Sequence, residues 1–238
     1  MFRHGANLWF AYPIFPRNLI YATRFTMRKF MRFFFYHFYH ALAWTYDFVA
    51  AVVSIGQWKT WGRAVLPHLH GKRVLELGFG PGHLLVEMNR SGFQAVGLDE
   101  SPQMIGQAKR NLARSNLPVT LFRGYAQHLP FESGAFDSVV STFPSEYIAD
   151  PRTLAEVRRV LKEDGRFVIV PVAWMGGKSL LERGAQWLFE VTGQGREGVE
   201  ARITAFLAEH GFSAACMEVE ILHSTVLVVV AEKVEISR

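Results

Sequence analysis

The stretch Val74-Leu75-Glu76-Leu77-Gly78-Phe79-Gly80-Pro81-Gly82-His83 constrains this chain more tightly than any other. It reads as a short buried strand, a turn with glycine at every second position, and the start of a helix. Glycines in such a turn reach positive φ and let the backbone approach a ligand where a Cβ would collide. The helix that follows aims its free N–H groups at whatever sits in the turn. A second apolar strand, Ala95-Val96-Gly97-Leu98, then closes on Asp99. An acid there can accept both hydroxyls of a ribose. The pattern predicts a nucleoside-binding βαβ unit.

Spacing selects the nucleoside. In the dinucleotide fingerprint G-x-G-x-x-G, counted from Gly78 or from Gly80, the third glycine would fall at His83 or Leu85, and neither fits. The pattern is instead acid-x-G-x-G-x-G: Glu76, Gly78, Gly80, Gly82. An acid near the strand end repels a pyrophosphate and suits a cation. S-adenosylmethionine carries a sulfonium, an ammonium and a ribose, and no phosphate. The bland alternative is a glycine turn required only for tight packing.

Further motifs follow in order. They are Gly97-Leu98-Asp99-Glu100-Ser101-Pro102-Gln103-Met104, Ala126-Gln127-His128-Leu129-Pro130-Phe131 and Phe136-Asp137-Ser138-Val139-Val140-Ser141-Thr142. Leu154-Ala155-Glu156-Val157-Arg158-Arg159-Val160-Leu161 and Gly165-Arg166-Phe167-Val168-Ile169-Val170 close the series. Over residues 46–171, about half of the chain, the sequence resembles the class I S-adenosylmethionine-dependent methyltransferases. It looks most like the ubiquinone/menaquinone-biosynthesis C-methyltransferase type (methyltransferase type 11 domain). The resemblance implies a Rossmann-like, doubly wound α/β sheet, mostly parallel, that ends in an antiparallel strand pair. It also implies S-adenosyl-L-methionine as cofactor and is nearly silent on the acceptor.

Ligands of open α/β sheets sit beyond the carboxyl ends of the strands. Glu76 there would face the methionine ammonium, and Gly78, Gly80 and Gly82 would cradle the amino-acid part. Asp99 would hold the ribose hydroxyls. Met104, or Pro102 before it, would pack on the adenine. The family's Gly-Asp-Ala after the third strand is Gly124-Tyr125-Ala126 here. Tyr125 would stack or use its hydroxyl, and the Ala126 N–H would meet a ring nitrogen. Thr142-Phe143-Pro144-Ser145-Glu146-Tyr147 would face both the methyl group and the acceptor, with Thr142 on the cofactor side. This segment lacks the Asn/Asp-Pro-Pro-Tyr pattern of nucleic-acid amino methylases, and Phe143 and Tyr147 would wall an apolar acceptor.

The net charge of +5 is unevenly placed. Before Asp47 there is no acid but six bases: Arg3, Arg17, Arg24, Arg28, Lys29 and Arg32. The remainder therefore carries 5 − 6 = −1. The same stretch holds about half of the aromatic residues, including Phe33-Phe34-Phe35-Tyr36-His37-Phe38-Tyr39. This is not the interleaved basic and aromatic surface expected on a nucleic-acid-binding domain. Residues 1–45 are expected to form a helical arm, and residues 46–238 the methyltransferase domain with a helical insertion near 172–198. The arm would serve as a lid over the cofactor cleft or a homodimer contact. Alternatively, a basic aromatic helix would lie on an anionic membrane surface. A spanning helix over 33–56 is a third reading, opposed by Asp47, His37 and His40. A cleaved leader is disfavoured by the aromatic character of the stretch. The cofactor points to the cytoplasm, with the inner face of a membrane as the place for such an arm.

Strands are expected at 73–77, 95–99, 120–123, 138–142 and 166–171, and helices at 83–90, 104–114 and 153–161. Ser101-Pro102 suits a helix start, and Asp164-Gly165 suits a turn into the fifth strand. A helical pattern over 44–66, broken at Gly56, precedes a linker at 67–71. A helix over 179–192, containing Trp187-Leu188-Phe189, belongs to the insertion. A helix over 199–210 and strands at 216–222 and 225–231, joined by His223-Ser224, complete the chain. Cys216, the single cysteine, reads as a small core residue. No His/Cys cluster has metal-ligand spacing.

Methyl transfer from a sulfonium is an in-line displacement with an excellent leaving group, so alignment carries most of the catalysis. A base helps only if the acceptor is a hydroxyl or an acidic carbon. His128, Glu146, Tyr147 and His37 are the candidates. Carbon, oxygen and nitrogen acceptors all remain open. The expected activity is methyl transfer to a small hydrophobic acceptor, such as a quinone precursor, a lipid or an aromatic metabolite. The competing class is a membrane-associated scaffold or regulator that keeps the pocket without transferring a methyl.

Overall fold

The computed structural model describes residues 57–175, 198–222 and 224–234. The arm with His37, the span considered over 33–56 and the helix expected at 179–192 lie outside the described residues.

A short helix α1 (Trp58–Gly62) passes into a 3-10 turn (Arg63–His68) that takes in Pro67, so the expected linker begins later, at Leu69. Then strands and helices alternate: β1 (Arg73–Leu77), α2 (His83–Arg90), β2 (Gln94–Asp99), α3 (Pro102–Arg114), β3 (Leu121–Arg123) and β4 (Phe136–Thr142). A 3-10 turn (Glu146–Ala149), α4 (Pro151–Val160), β5 (Leu161–Met175), α5 (Val199–Glu209), β6 (Phe212–Ile221) and β7 (Ser224–Lys233) follow.

The seven strands form one sheet in the order β3-β2-β1-β4-β5-β7-β6. β1 to β5 run parallel, and β7 lies antiparallel to both β5 and β6. Parallel strands need crossovers on the sheet faces, so β1 and β4 are buried almost throughout. On one face Leu75 and Leu77 pack with Leu154 and Val157 of α4 and Leu207 of α5. On the other, Val74 packs with Leu84, Leu85 and Met88 of α2, Ala108 and Leu112 of α3, and Trp61 of α1. Each fully buried side chain of this size contributes roughly 1.5–3 kcal/mol.

The helix starts follow local chemistry. Ser101 Oγ accepts from the Met104 N–H at 3.3 Å, with Pro102 in the first helical position of α3. Asp150 accepts from the Arg152 N–H at 2.9 Å ahead of Pro151 and α4.

Three expectations are corrected. Asp164-Gly165 is not a turn before the strand: β5 begins at Leu161. Phe136 pairs with Leu161 and Ser138 with Arg166, so Lys162–Gly165 bulges opposite Asp137 alone. Asp137 holds the bulge, accepting from the Lys72 and Arg73 N–H groups at 2.9 and 2.7 Å and from the Lys162 ammonium. β5 also runs past Pro171, with a register slip against β7 between Ile169 and Val172, since proline has no N–H to give the ladder. β6 ends at Ile221 and β7 begins at Ser224, each one residue earlier than expected; Leu222 has φ +55°, and His223 lies outside the described residues.

Candidate active site

The β1–β4 ladder runs from Val74↔Ser138 to Glu76↔Val140 and stops there. β1 continues to β2 on one side and β4 to β5 on the other, so this is where the strand order reverses and a cleft opens.

From Leu77 the chain enters the glycine turn, with φ +67° at Gly78 and +79° at Gly82, the residue that caps α2. At Gly82 a Cβ would lie 2.7 Å from the Ala108 Cβ of α3. At Gly78 it would lie 2.6 Å from the Tyr147 hydroxyl oxygen. At Gly82 the left-handed backbone and the close approach of α3 both favour glycine, while at Gly78 the atom in the way is the far end of the Tyr147 side chain.

Two carboxylates face the turn. Asp99 is 8% exposed, and its Oδ2 accepts from the Gly80 N–H and its Oδ1 from the Ser101 N–H, both at 2.9 Å. Burial raises its carboxyl to about 6 against the pull of those two amides. Glu76 is 2% exposed, and its Oε2 has no hydrogen-bond partner among the described residues. Burial, and then the neighbouring Asp99 charge, push its carboxyl well above the ordinary range. A buried carboxyl oxygen without a partner costs stability, and a cationic ligand in the cleft would both pair it and favour its ionised form. Lys59 and Gly62 of α1, His83 of α2 and Thr142 of β4 complete the walls.

The other candidates are placed less tightly together. Met104 is 1% exposed, so its side chain is within α3's packing, while Pro102 is exposed. Tyr125 is 62% exposed beside the buried Ala126 in the loop after β3. Phe143 holds φ +50°, a rare conformation for a large side chain, and tilts against Trp61 with ring centroids 5.9 Å apart. Glu146 and His128 are exposed, and His128 lies near enough to Glu156 to help lower its carboxyl. Tyr147 is half-buried, with its hydroxyl 2.9 Å from the Leu77 carbonyl and 2.7 Å from Ser141 Oγ. His37 lies outside the described residues. Sequence reasoning missed Lys59, which no local pattern marks, and Ser141, a hydroxyl just after the apolar pair Val139-Val140 near the end of β4.

Glu76, the glycine cradle and Asp99 fit the ammonium and ribose of S-adenosylmethionine. The cleft lies at the carboxyl ends of a doubly wound sheet, and residues 74–165 match the family model described as "Methyltransferase domain". Among individual proteins, the chain is 34% identical over 137 residues to a demethylmenaquinone methyltransferase of Symbiobacterium thermophilum, covering 53% of this chain and 54% of that protein. It is also 34% identical over 155 residues to an uncharacterized methyltransferase of Synechocystis, covering 61% of this chain and 66% of that one. The chain thus spans about half to two thirds of the length of these curated relatives. A solved S-adenosylmethionine-dependent methyltransferase of Aquifex aeolicus shares the fold, with a TM-score of 0.53 at 19% identity over 71% of this chain and 88% of that one. Among the described residues no cluster of His, Cys, Asp and Glu could hold a metal, and no helix is long and apolar enough to cross a membrane.

Proposed function

We propose that this chain transfers the methyl group of S-adenosyl-L-methionine to a small hydrophobic acceptor. The buried Glu76 carboxyl, whose Oε2 has no partner among the described residues, set beside Asp99 over the glycine turn, carries the cofactor half of the reading. Bound there, the cofactor supplies an electrophilic methyl on a sulfonium. Glu76 accepts from the ammonium, the turn backbone packs on the amino-acid part, and Asp99 accepts from the ribose hydroxyls. Thr142 and Phe143 then border the side from which an acceptor approaches, and holding it in line is the main catalytic task.

For the acceptor, the support is the apolar Phe143, which follows the cleft residue Thr142 in the chain, and the likeness to a protein named for demethylmenaquinone methylation. The basic, aromatic composition of residues 1–45 suits peripheral contact with an anionic membrane, where apolar acceptors dissolve.

The test is calorimetric titration with S-adenosylmethionine, S-adenosylhomocysteine and NADH, for the wild type and Asp99→Ala. Transfer of a labelled methyl to a panel of demethylated quinones, phenols and fatty acids follows. Micromolar binding of the sulfur nucleosides that collapses in Asp99→Ala, with label recovered in the organic extract, is expected. A folded protein that binds neither nucleoside overturns the cofactor reading. Label found only in polar acceptors overturns the acceptor reading.

A further inference from the structure

Beyond Glu76 and Val140 the backbone ladder between β1 and β4 ends, yet the two strands are not left free. The Leu77 carbonyl meets two hydroxyls. Ser141 Oγ, fully buried on β4, lies 3.0 Å from it, and the Tyr147 hydroxyl lies 2.9 Å from it. The two hydroxyls are themselves 2.7 Å apart. Two protons serve three short contacts, so one hydroxyl donates to the carbonyl while the other donates to it or to its neighbour.

The carbonyl belongs to the Leu77–Gly78 peptide, whose orientation sets where the glycine turn begins. Gly78 holds φ +67°, and the space its missing Cβ leaves is occupied by the Tyr147 hydroxyl. Tyr147 comes from the 3-10 turn after β4, the segment on the acceptor side. One phenol therefore links that segment to the first peptide of the cofactor turn.

We infer that Tyr147 is a positioning residue that, with Ser141, holds the Leu77–Gly78 peptide in its binding orientation across the point where β1 and β4 part. It is not the general base considered from the sequence. A phenolate would set an oxyanion against a carbonyl oxygen and lose the bond that holds the turn.

This inference rests on the cleft being the S-adenosylmethionine site. Tyr147→Phe keeps the ring and removes the bond; Ser141→Ala removes the partner with little change in volume. Titration with S-adenosylhomocysteine reads affinity, thermal unfolding without ligand reads stability, and hydrogen exchange reads the segment 77–82. Each single variant is expected to weaken affinity threefold to tenfold and speed exchange of that segment. The double variant should lose less than the product of the two, since both act on one carbonyl. Wild-type affinity in both singles overturns the inference, even if unfolding temperature falls, because a merely structural role moves only the latter. Should Tyr147→Phe fail to fold, Ser141→Ala decides alone by the same criterion. Asp99→Ala separates the two failures. If the wild type binds no nucleoside, the site reading fails. If the wild type binds, Asp99→Ala does not, and Tyr147→Phe binds as the wild type does, only the positioning role fails.

Discussion

Gly82→Ala separates packing from ligand binding as the reason for the third glycine of the turn. The new Cβ would stand 2.7 Å from the Ala108 Cβ and 3.2 Å from its Cα, at φ +79°. The left-handed conformation costs a non-glycine residue roughly 1–2 kcal/mol. Pushing α2 and α3 apart costs about 1–3 kcal/mol more. The sum, roughly 2–5 kcal/mol, is a large part of a typical domain's stability. At about 2–4 °C per kcal/mol for a domain of this size it predicts a fall of roughly 5–20 °C in unfolding temperature. Ala108→Gly removes the opposing methyl and costs about 1 kcal/mol by itself, as glycine in a helix does. The double variant should recover the steric part but keep the backbone strain, giving a favourable coupling of about 1–3 kcal/mol. Denaturant unfolding of the four proteins measures it. Coupling below about 0.5 kcal/mol would refute the close approach as the cause, and a ligand requirement at Gly82 would take its place.

Three further outcomes are expected. Glu76→Gln should weaken S-adenosylhomocysteine binding about 10- to 150-fold, the worth of a hydrogen bond to a charged group, yet stabilise the ligand-free protein at pH 8. Burial raises this carboxyl, so its contribution to stability is present below its ordinary range and is lost as pH rises. A variant less stable than wild type at pH 8 would contradict this. Burial pushes the Asp99 carboxyl up to about 6; on the proposed role, in which the ionised group accepts from the ribose, affinity should be flat above pH 7 and fall up to tenfold per unit below about 6. Its own stability contribution runs the other way, fully present below about 3.8 and lost as pH rises through about 6, so the lost binding is not unfolding. Constant affinity from pH 5 to 7.5 would count against the assignment. Asp137 is only 16% exposed. Desolvation raises its carboxyl, but the Lys162 ammonium and the Arg73 and Lys72 amides outweigh it and hold it near 2. Its contribution is complete above about 4 and is lost as pH falls through about 2. Asp137→Asn should cost about 1–2 kcal/mol at pH 7 and flatten the acid limb of the stability curve; an unchanged midpoint in urea at pH 7 would refute this.

Much of the βαβ unit was legible because its signals are local. β1 and α2 fall at the expected bounds, 73–77 and 83–90, since glycine spacing, strand hydrophobicity and helix periodicity all act within a few residues. Ser101-Pro102 announces α3 for the same reason, through a bond three residues long. Glu76 and Asp99 could be named as acids at strand ends, but their burial depends on what α1 and the glycine turn lay over them. The bulge at Lys162–Gly165 was read as a turn because its partner, Asp137, belongs to another strand. Tyr147 stands among the candidate bases in the sequence, and its contact with a carbonyl 70 residues away, at Leu77, exists only in the fold. The approach of Ala108 to Gly82 likewise arises only when two helices dock on the same face of the sheet. Periodicity and capping are written into neighbouring residues; strand order, burial and the partner of each buried hydroxyl come into being when distant segments share one core.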